Sequence, residues 1–301
     1  MDAHERARRP SAPMTGLDPR HREFAGGTAI VKSLATLLRL FVDYIRFKPY
    51  IAKDRRCDDL VFDFLIADKV GKEWYDTSAE QSMPERLWCR DHIKPGFHVI
   101  DCGAHHGMMT VLFSRWTGPT GHVTAYEIIP SNRSIIRENL KLNDCSNVTI
   151  RPYDVGEKST AVKVHRESSN ASAIKSVLMN SLQVVSLDVD LAGSTVDFLK
   201  LDVEGAELPA LRGACVIVAQ QRPAICLELH NFLFADRRAT LTEIFSIISE
   251  HNYEFFVLPD IFDPIDEFDP VSLESVIKYA NPHIFCKPID LRYVSYPKRV
   301  S

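Results

Sequence analysis

No window of roughly 20 mostly apolar residues occurs in the 301-residue sequence, so no membrane-spanning helix is expected. The seven cysteines (Cys57, Cys89, Cys102, Cys145, Cys215, Cys226, Cys286) are odd in number and never spaced as Cys-x-x-Cys. That spacing argues against a disulfide framework and against a structural zinc site. Cys102, Cys226 and Cys286 sit inside apolar runs and read as small buried hydrophobes, which suits a reducing compartment and gives a cytoplasmic expectation. Neither charge dominates. Lys and Arg number 36 against 40 Asp and Glu, a net charge of -4 that offers no global reason to bind a polyanion, and no nucleic-acid partner is expected. The arginine-rich start lacks the apolar core of a signal peptide.

What is present is the balance of an ordinary globule, 45% apolar and 25% charged residues. Residues 1–26 are expected to be disordered. Residues 27–95 read as a helical extension followed by an irregular preface, 96–290 as the main domain and 291–301 as a tail. Within the extension, Ile30, Leu34, Leu37, Leu38, Phe41 and Ile45 fall at helical spacing, with Lys32, Arg39, Asp43 and Arg46 between them. This predicts an amphipathic helix packed on the domain. A peripheral membrane contact through residues 28–47 is the less favoured reading.

From residue 97 onward short apolar runs alternate with helical stretches. Strands are predicted at 97–100, 122–126, 148–153, 196–203, 223–230, 253–258 and 283–286. Helices are predicted at 108–116, 131–142, 206–213 and 241–251. This alternation implies a doubly wound, mostly parallel seven-stranded α/β sheet with helices on both faces. Runs such as Val196-Asp-Phe-Leu-Lys-Leu-Asp202 do not alternate polar with apolar, as expected when both faces are covered. Residues 161–187 read as a meander of short strands.

The strongest local signal is Asp101-Cys102-Gly103-Ala104-His105-His106-Gly107, a strand running into a small-residue turn and then a helix. At the carboxyl end of the first core strand such a turn faces the ligand crevice. Gly103 and Ala104 would let a ligand approach the backbone, and Gly107 would let the helix pack closely. No Gly-Lys-Ser/Thr follows, which excludes a P-loop, and the turn lacks the middle glycine of the dinucleotide fingerprint. The second strand ends at Glu127, where a carboxylate accepts hydrogen bonds from both hydroxyls of a ribose. Asp154, after the third strand, is placed to accept from an adenine amino group or to cap its own loop.

Together these residues resemble class I methyltransferases of the FkbM type, which carry Asp-x-Gly-Ala-Asn-x-Gly, an acid at the second strand end, and Lys-x-Asp-x-Glu-Gly-x-Glu. The last block is present as Lys200-Leu201-Asp202-Val203-Glu204-Gly205-Ala206-Glu207 and continues through Pro223 to Glu228-Leu229-His230. The resemblance spans roughly residues 75–260. It implies a Rossmann-like fold, S-adenosyl-L-methionine as cofactor, and a hydroxyl of a small molecule or glycan as acceptor. It places Asp101, Gly103, Ala104, His105, Gly107, Glu127, Ile128 and Asp154 at the cofactor. Two positions depart from the family. His105 replaces an Asn, a residue tolerant of left-handed backbone, and Ile128 replaces a Pro.

Removing a hydroxyl proton calls for a general base. Lys200, Asp202 and Glu204 share one strand face by period two. Asp202 and His230 are the candidates for base and orienter, with Glu204 and Glu228 beside them. Asp202, Glu228 and His230 are also ligand types for a divalent cation, but no metal site is expected. Trp74, Tyr75, Trp88 and the Tyr253–Phe256 run are core aromatics or pocket walls. A nicotinamide-dependent oxidoreductase and a non-catalytic cofactor-binding protein are the competing readings. The oligomeric state is not specified.

Overall fold

A computed structural model describes residues 47–76, 83–162, 182–259, 266–268 and 273–289. The predicted disordered start, nearly all of the amphipathic helix, most of the 161–187 meander and the tail lie outside these residues. Among the described residues no helix is long and apolar enough to cross a membrane.

The preface is more regular than its sequence suggests. An antiparallel hairpin, β1 (Tyr50–Cys57) and β2 (Leu60–Ile66), precedes helices α1 (Lys69–Tyr75) and α2 (Pro84–His92). Strand β2 alternates, burying Phe62, Phe64 and Ile66. Its partner β1 is largely charged and exposed and gives no pattern of its own. Asp68 caps α1 by accepting from the Gly71 amide at 2.8 Å.

The main domain follows as β3 (His98–Cys102), α3 (Met108–Thr117), β4 (His122–Tyr126), α4 (Pro130–Leu142) and β5 (Val148–Arg151). A three-stranded side sheet holds β6 (Asp154–Val155), β7 (Thr160–Val162) and β8 (Leu182–Val185). Then come α5 (Leu187–Asp190), β9 (Phe198–Leu201), α6 (Glu207–Arg212), α7 (Cys215–Gln220), β10 (Ala224–Glu228), α8 (Arg237–Ser249), β11 (Tyr253–Leu258), β12 (Asp266–Phe268), α9 (Leu273–Ile277) and β13 (His283–Pro288).

The central sheet runs β12-β11-β13-β10-β9-β3-β4-β5. Strands β10, β9, β3, β4 and β5 pair in parallel, and β13 inserts antiparallel between β10 and β11. This is the expected seven-stranded arrangement, extended at one edge by the three-residue β12. Successive residues of each strand serve opposite faces. Ile100, Leu199 and Leu227 pack with Leu211, Val218, Leu241 and Ile244 on one side, while Val99, Phe198 and Cys226 meet Trp88, Cys89 and Phe113 on the other. Trp88 and Tyr253 are therefore core residues. The described cysteines are all unpaired.

The strand order reverses between β3 and β9. The chain leaves β3 toward β4 on one side and returns as β9 on the other. That switch point is where a doubly wound sheet opens its crevice.

Candidate active site

The glycine turn and the second-strand acid converge. Both the Gly103 and Ala104 amides donate to the Tyr126 carbonyl, at 3.0 and 3.1 Å, tying the tip of β3 to the tip of β4. Gly103 (φ +82°) earns its place differently from the expectation. A Cβ there would lie 1.8 Å from the Asp202 carbonyl oxygen, so the missing side chain admits the end of β9 rather than a ligand. Gly107 (φ +85°) is likewise needed for packing, since a Cβ would meet Ile136 of α4 at 3.2 Å. His105 takes the left-handed backbone expected of its position, with φ +50°.

Glu127 is almost fully buried at the end of β4. Burial raises its carboxyl to about 7, opposed by hydrogen bonds from the Ile129 and His105 amides. The Ile129 N–H lies 2.7 Å from its Oε1. Ile128 contributes its carbonyl to Arg133 at 2.7 Å. Asp101 is not on the cleft surface. It is fully buried in β3, where Thr110 donates to it at 2.5 Å, and it braces the turn from beneath. Asp154 belongs to the side sheet and accepts from the next amide, Val155, at 2.9 Å. Ala104 is buried against Val111 and Ile136.

The other half of the crevice lies at the ends of β9 and β10. Lys200 is buried and bonds Asp202 at 3.0 Å. Burial opposes the Asp202 charge, but Lys200 and then His230 hold its carboxyl below the usual range. Strand β9 ends at Leu201, and Glu204 adopts φ +52° in the loop beyond, so period two does not carry it onto the face of Lys200 and Asp202. It reaches the cluster by another route, 3.6 Å from His230 Nε2.

His230 is buried, and its Nδ1 pairs with Glu207 Oε1 at 2.7 Å. Its Nε2 stands 3.8 Å from Glu228 and 4.0 Å from Asp202. The hydrogen-bond partner of His230 Nδ1 is thus Glu207, with Asp202 further off. Burial disfavours the imidazolium, but the Glu207 hydrogen bond and the charges of Asp202 and Glu228 outweigh it and push His230 up to about 9. Glu228 is pushed up to about 7, by burial first and the Asp202 charge second. Asn281 donates to it at 2.6 Å, and His283 lies 3.8 Å away, itself near Glu85. Asp202, Glu228 and His230 bring ligand-type atoms within 4.8 Å of one another.

Sequence reasoning missed Glu207, Glu85, His283 and Asn281. Glu207 stood in the quoted block, but it opens α6, and helix-opening acids are common for the helix dipole alone. The other three arrive from remote elements with no local signal.

The Methyltransferase FkbM domain model matches residues 101–255. "Methyltransferase 1" of Beauveria bassiana is 29% identical, covering 38% of this chain and 57% of that protein. "Arsenite methyltransferase" of Halobacterium salinarum is 36% identical over 22% of this chain and 17% of its own length. The chain thus spans less than two thirds of these curated relatives. The crystal structure of an FkbM methyltransferase from Methylobacillus flagellatus is similar at 17% identity and TM-score 0.42, covering 86% of this chain and 60% of that one. A putative O-methyltransferase from Klebsiella pneumoniae is similar at 14% identity and TM-score 0.44, covering 87% and 96%.

Proposed function

Because the chain belongs to the FkbM methyltransferase family, we propose that it uses S-adenosyl-L-methionine to methylate a hydroxyl group of a small molecule or glycan. The observation that carries this reading is the union, at the tips of neighbouring core strands, of a ribose-type acid with a partly buried proton-accepting cluster. Glu127 and the Gly103–His105 turn lie on one side, and Asp202, Glu228 and His230 on the other.

The residues fit such a cofactor. Glu127 is buried with its carboxyl raised, and hydrogen bonds from two ribose hydroxyls would favour its ionised form. When bound, the cofactor supplies a methyl group already activated by a positive sulfur. The protein's part is to align the acceptor and remove its proton. Of the groups at the ends of β9 and β10, Glu228 has a proton affinity near neutral pH and is the general base in this reading. His230, kept protonated by Glu207, faces the same space and stabilises the oxygen as it loses its proton. Asp202 stays ionised and anchors Lys200. Lys200 and His230 already supply positive charge here, so no divalent cation is invoked. The unpaired cysteines support a reducing, cytoplasmic setting.

The test is binding followed by transfer. Titration of S-adenosyl-L-methionine against NAD should show selective uptake of the former. Labelled methyl should then appear on oxygen in a hydroxylated acceptor from a host extract. Selective NAD binding, or cofactor binding without transfer to any of a broad acceptor panel, would overturn the assignment.

A further inference from the structure

Glu228 is approached by two residues from outside the stretch that matches the family. That match covers residues 101–255. Glu85 stands before it, in the first turn of α2, and His283 stands after it, at the start of β13. The fold brings the three side chains together. Glu228 ends β10 and is the register partner of His283 on the antiparallel β13. The Leu229 N–H donates to the Pro282 carbonyl at 2.9 Å and holds that end of the pairing. Trp88, one turn on from Glu85 in α2, packs on Phe285 of β13 with ring centroids 4.8 Å apart. The two elements that carry Glu85 and His283 are thus fixed against each other.

His283 lies between two carboxylates. Its Nδ1 is 3.6 Å from Glu85 Oε1, and its Nε2 is 3.8 Å from Glu228 Oε2. The ring is buried, and among the described residues neither nitrogen has a hydrogen-bond partner. A neutral imidazole carries one N–H and cannot serve an acceptor on each side, whereas an imidazolium carries two. The geometry therefore calls for the charged ring. Burial opposes that charge, but Glu85 first and Glu228 after it hold His283 protonated well above its usual range. Burial likewise opposes the ionisation of Glu85, and the charge of His283 outweighs it and lowers the carboxyl to about 2. The Cys226 thiol donates to Glu85 Oε1 at 3.6 Å. Glu228 is then held at both oxygens. Its Oε1 accepts from Asn281 at 2.6 Å and lies 3.8 Å from His230 Nε2, while Oε2 faces His283. The charges around it are His230 just beyond β10, Asp202 and Lys200 at the end of β9, His283 on β13 and Glu85 on α2. Burial and Asp202 raise its proton affinity, and His283 opposes them.

We propose that Glu85 and His283 are positioning residues for the general base, a buried carboxylate–imidazolium pair that pins Glu228 Oε2 and leaves Oε1 turned toward His230 and the acceptor. The proposal rests on the methyltransferase reading above and deepens it. His283 acts through Glu228, and Glu85 acts through His283. Without the positive ring against Oε2, the burial of Glu228 and the charge of Asp202 go unopposed from that side. Glu228 then binds its proton more tightly.

The experiment is the pH profile of kcat in His283→Gln at saturating cofactor, with the affinity for S-adenosyl-L-methionine measured beside it. The variant keeps a polar side chain and removes the charge. The lower limb, which Glu228 sets at about 7 in wild type, should move up by about one pH unit. Below that limb kcat should fall about tenfold, and on the plateau by less than about threefold. Affinity for the cofactor should stay within about twofold, since the pair acts on the acceptor side. A loss of equal size at every pH, with the limb unmoved, marks a merely structural role and sinks the proposal. So does a limb that moves down. Where His283→Gln does not fold, nitrogen NMR of isotope-labelled histidines in the wild type reads the ring directly. At about pH 8 both ring nitrogens of His283 should carry protons, and a neutral ring there would overturn the pair. That measurement needs no turnover. A wild-type protein that transfers no methyl group to any acceptor would fail earlier, at the methyltransferase reading itself.

Discussion

The two halves of the crevice are built by different means. At β3 and β4 the backbone sets the geometry. Gly103, His105 and Gly107 take positive φ, and two amides converge on the Tyr126 carbonyl. At β9 and β10 side-chain charges set it. Lys200, Asp202, Glu228 and His230 shift one another's protonation within a few ångströms, and Glu207 holds His230 in place. A backbone-built site is rigid, and each loss there is paid locally. A charge-built site is cooperative, so removing one member changes its neighbours.

The sharpest way to break this comparison is Glu228→Gln. If the halves are separable, kcat should fall about 100- to 10,000-fold through loss of the base while affinity for S-adenosyl-L-methionine stays near wild type. A large change in that affinity would show the halves to be one unit. The pH profile sharpens the same point. At saturating cofactor, kcat should rise as pH passes about 7, where Glu228 loses its proton, and fall as pH passes about 9, where His230 loses its own. In Glu228→Gln the lower limb should vanish from the residual rate.

Gly103→Ala tests the backbone half. A methyl group cannot sit 1.8 Å from the Asp202 carbonyl oxygen, and φ +82° is strained for alanine. Stability should drop by about 3 kcal/mol or more, read as a lower thermal midpoint, with cofactor binding lost alongside. A variant as stable as wild type would show that the strand tips are free to part.

Glu127→Ala should cost about 1.5 to 3 kcal/mol of cofactor affinity, the worth of hydrogen bonds to a charged group, with little effect on kcat at saturation. Unchanged affinity would remove Glu127 from the site. The smallest effect is expected from dialysis against a chelator, which should leave turnover within about twofold. Activity lost to the chelator and restored by magnesium would hand Asp202, Glu228 and His230 a metal.

The same division explains what the sequence disclosed. Backbone demands leave a local trace, since a Gly-rich turn after an apolar run reads as a strand tip wherever it stands. The placement of Gly103, Gly107 and Glu127 at strand tips was therefore legible, and so was the succession of core strands along the chain. The charge network left little trace. Glu85 on α2 and His283 on β13 reach Glu228 from distant points of the chain, and no spacing rule links them. Periodicity misplaced Glu204 because β9 stops at Leu201 and the backbone turns left-handed beyond it. The hairpin escaped notice because only β2 alternates.

The position of β13 has a consequence for how the molecule is made. The strand that separates β10 from β11 follows both of them in the chain. Without β13, β10 would have an open edge and β11 would pair with β12 alone. The β10 side of the crevice is therefore completed from far along the chain, and His283 takes its place beside Glu228 only when β13 is in position.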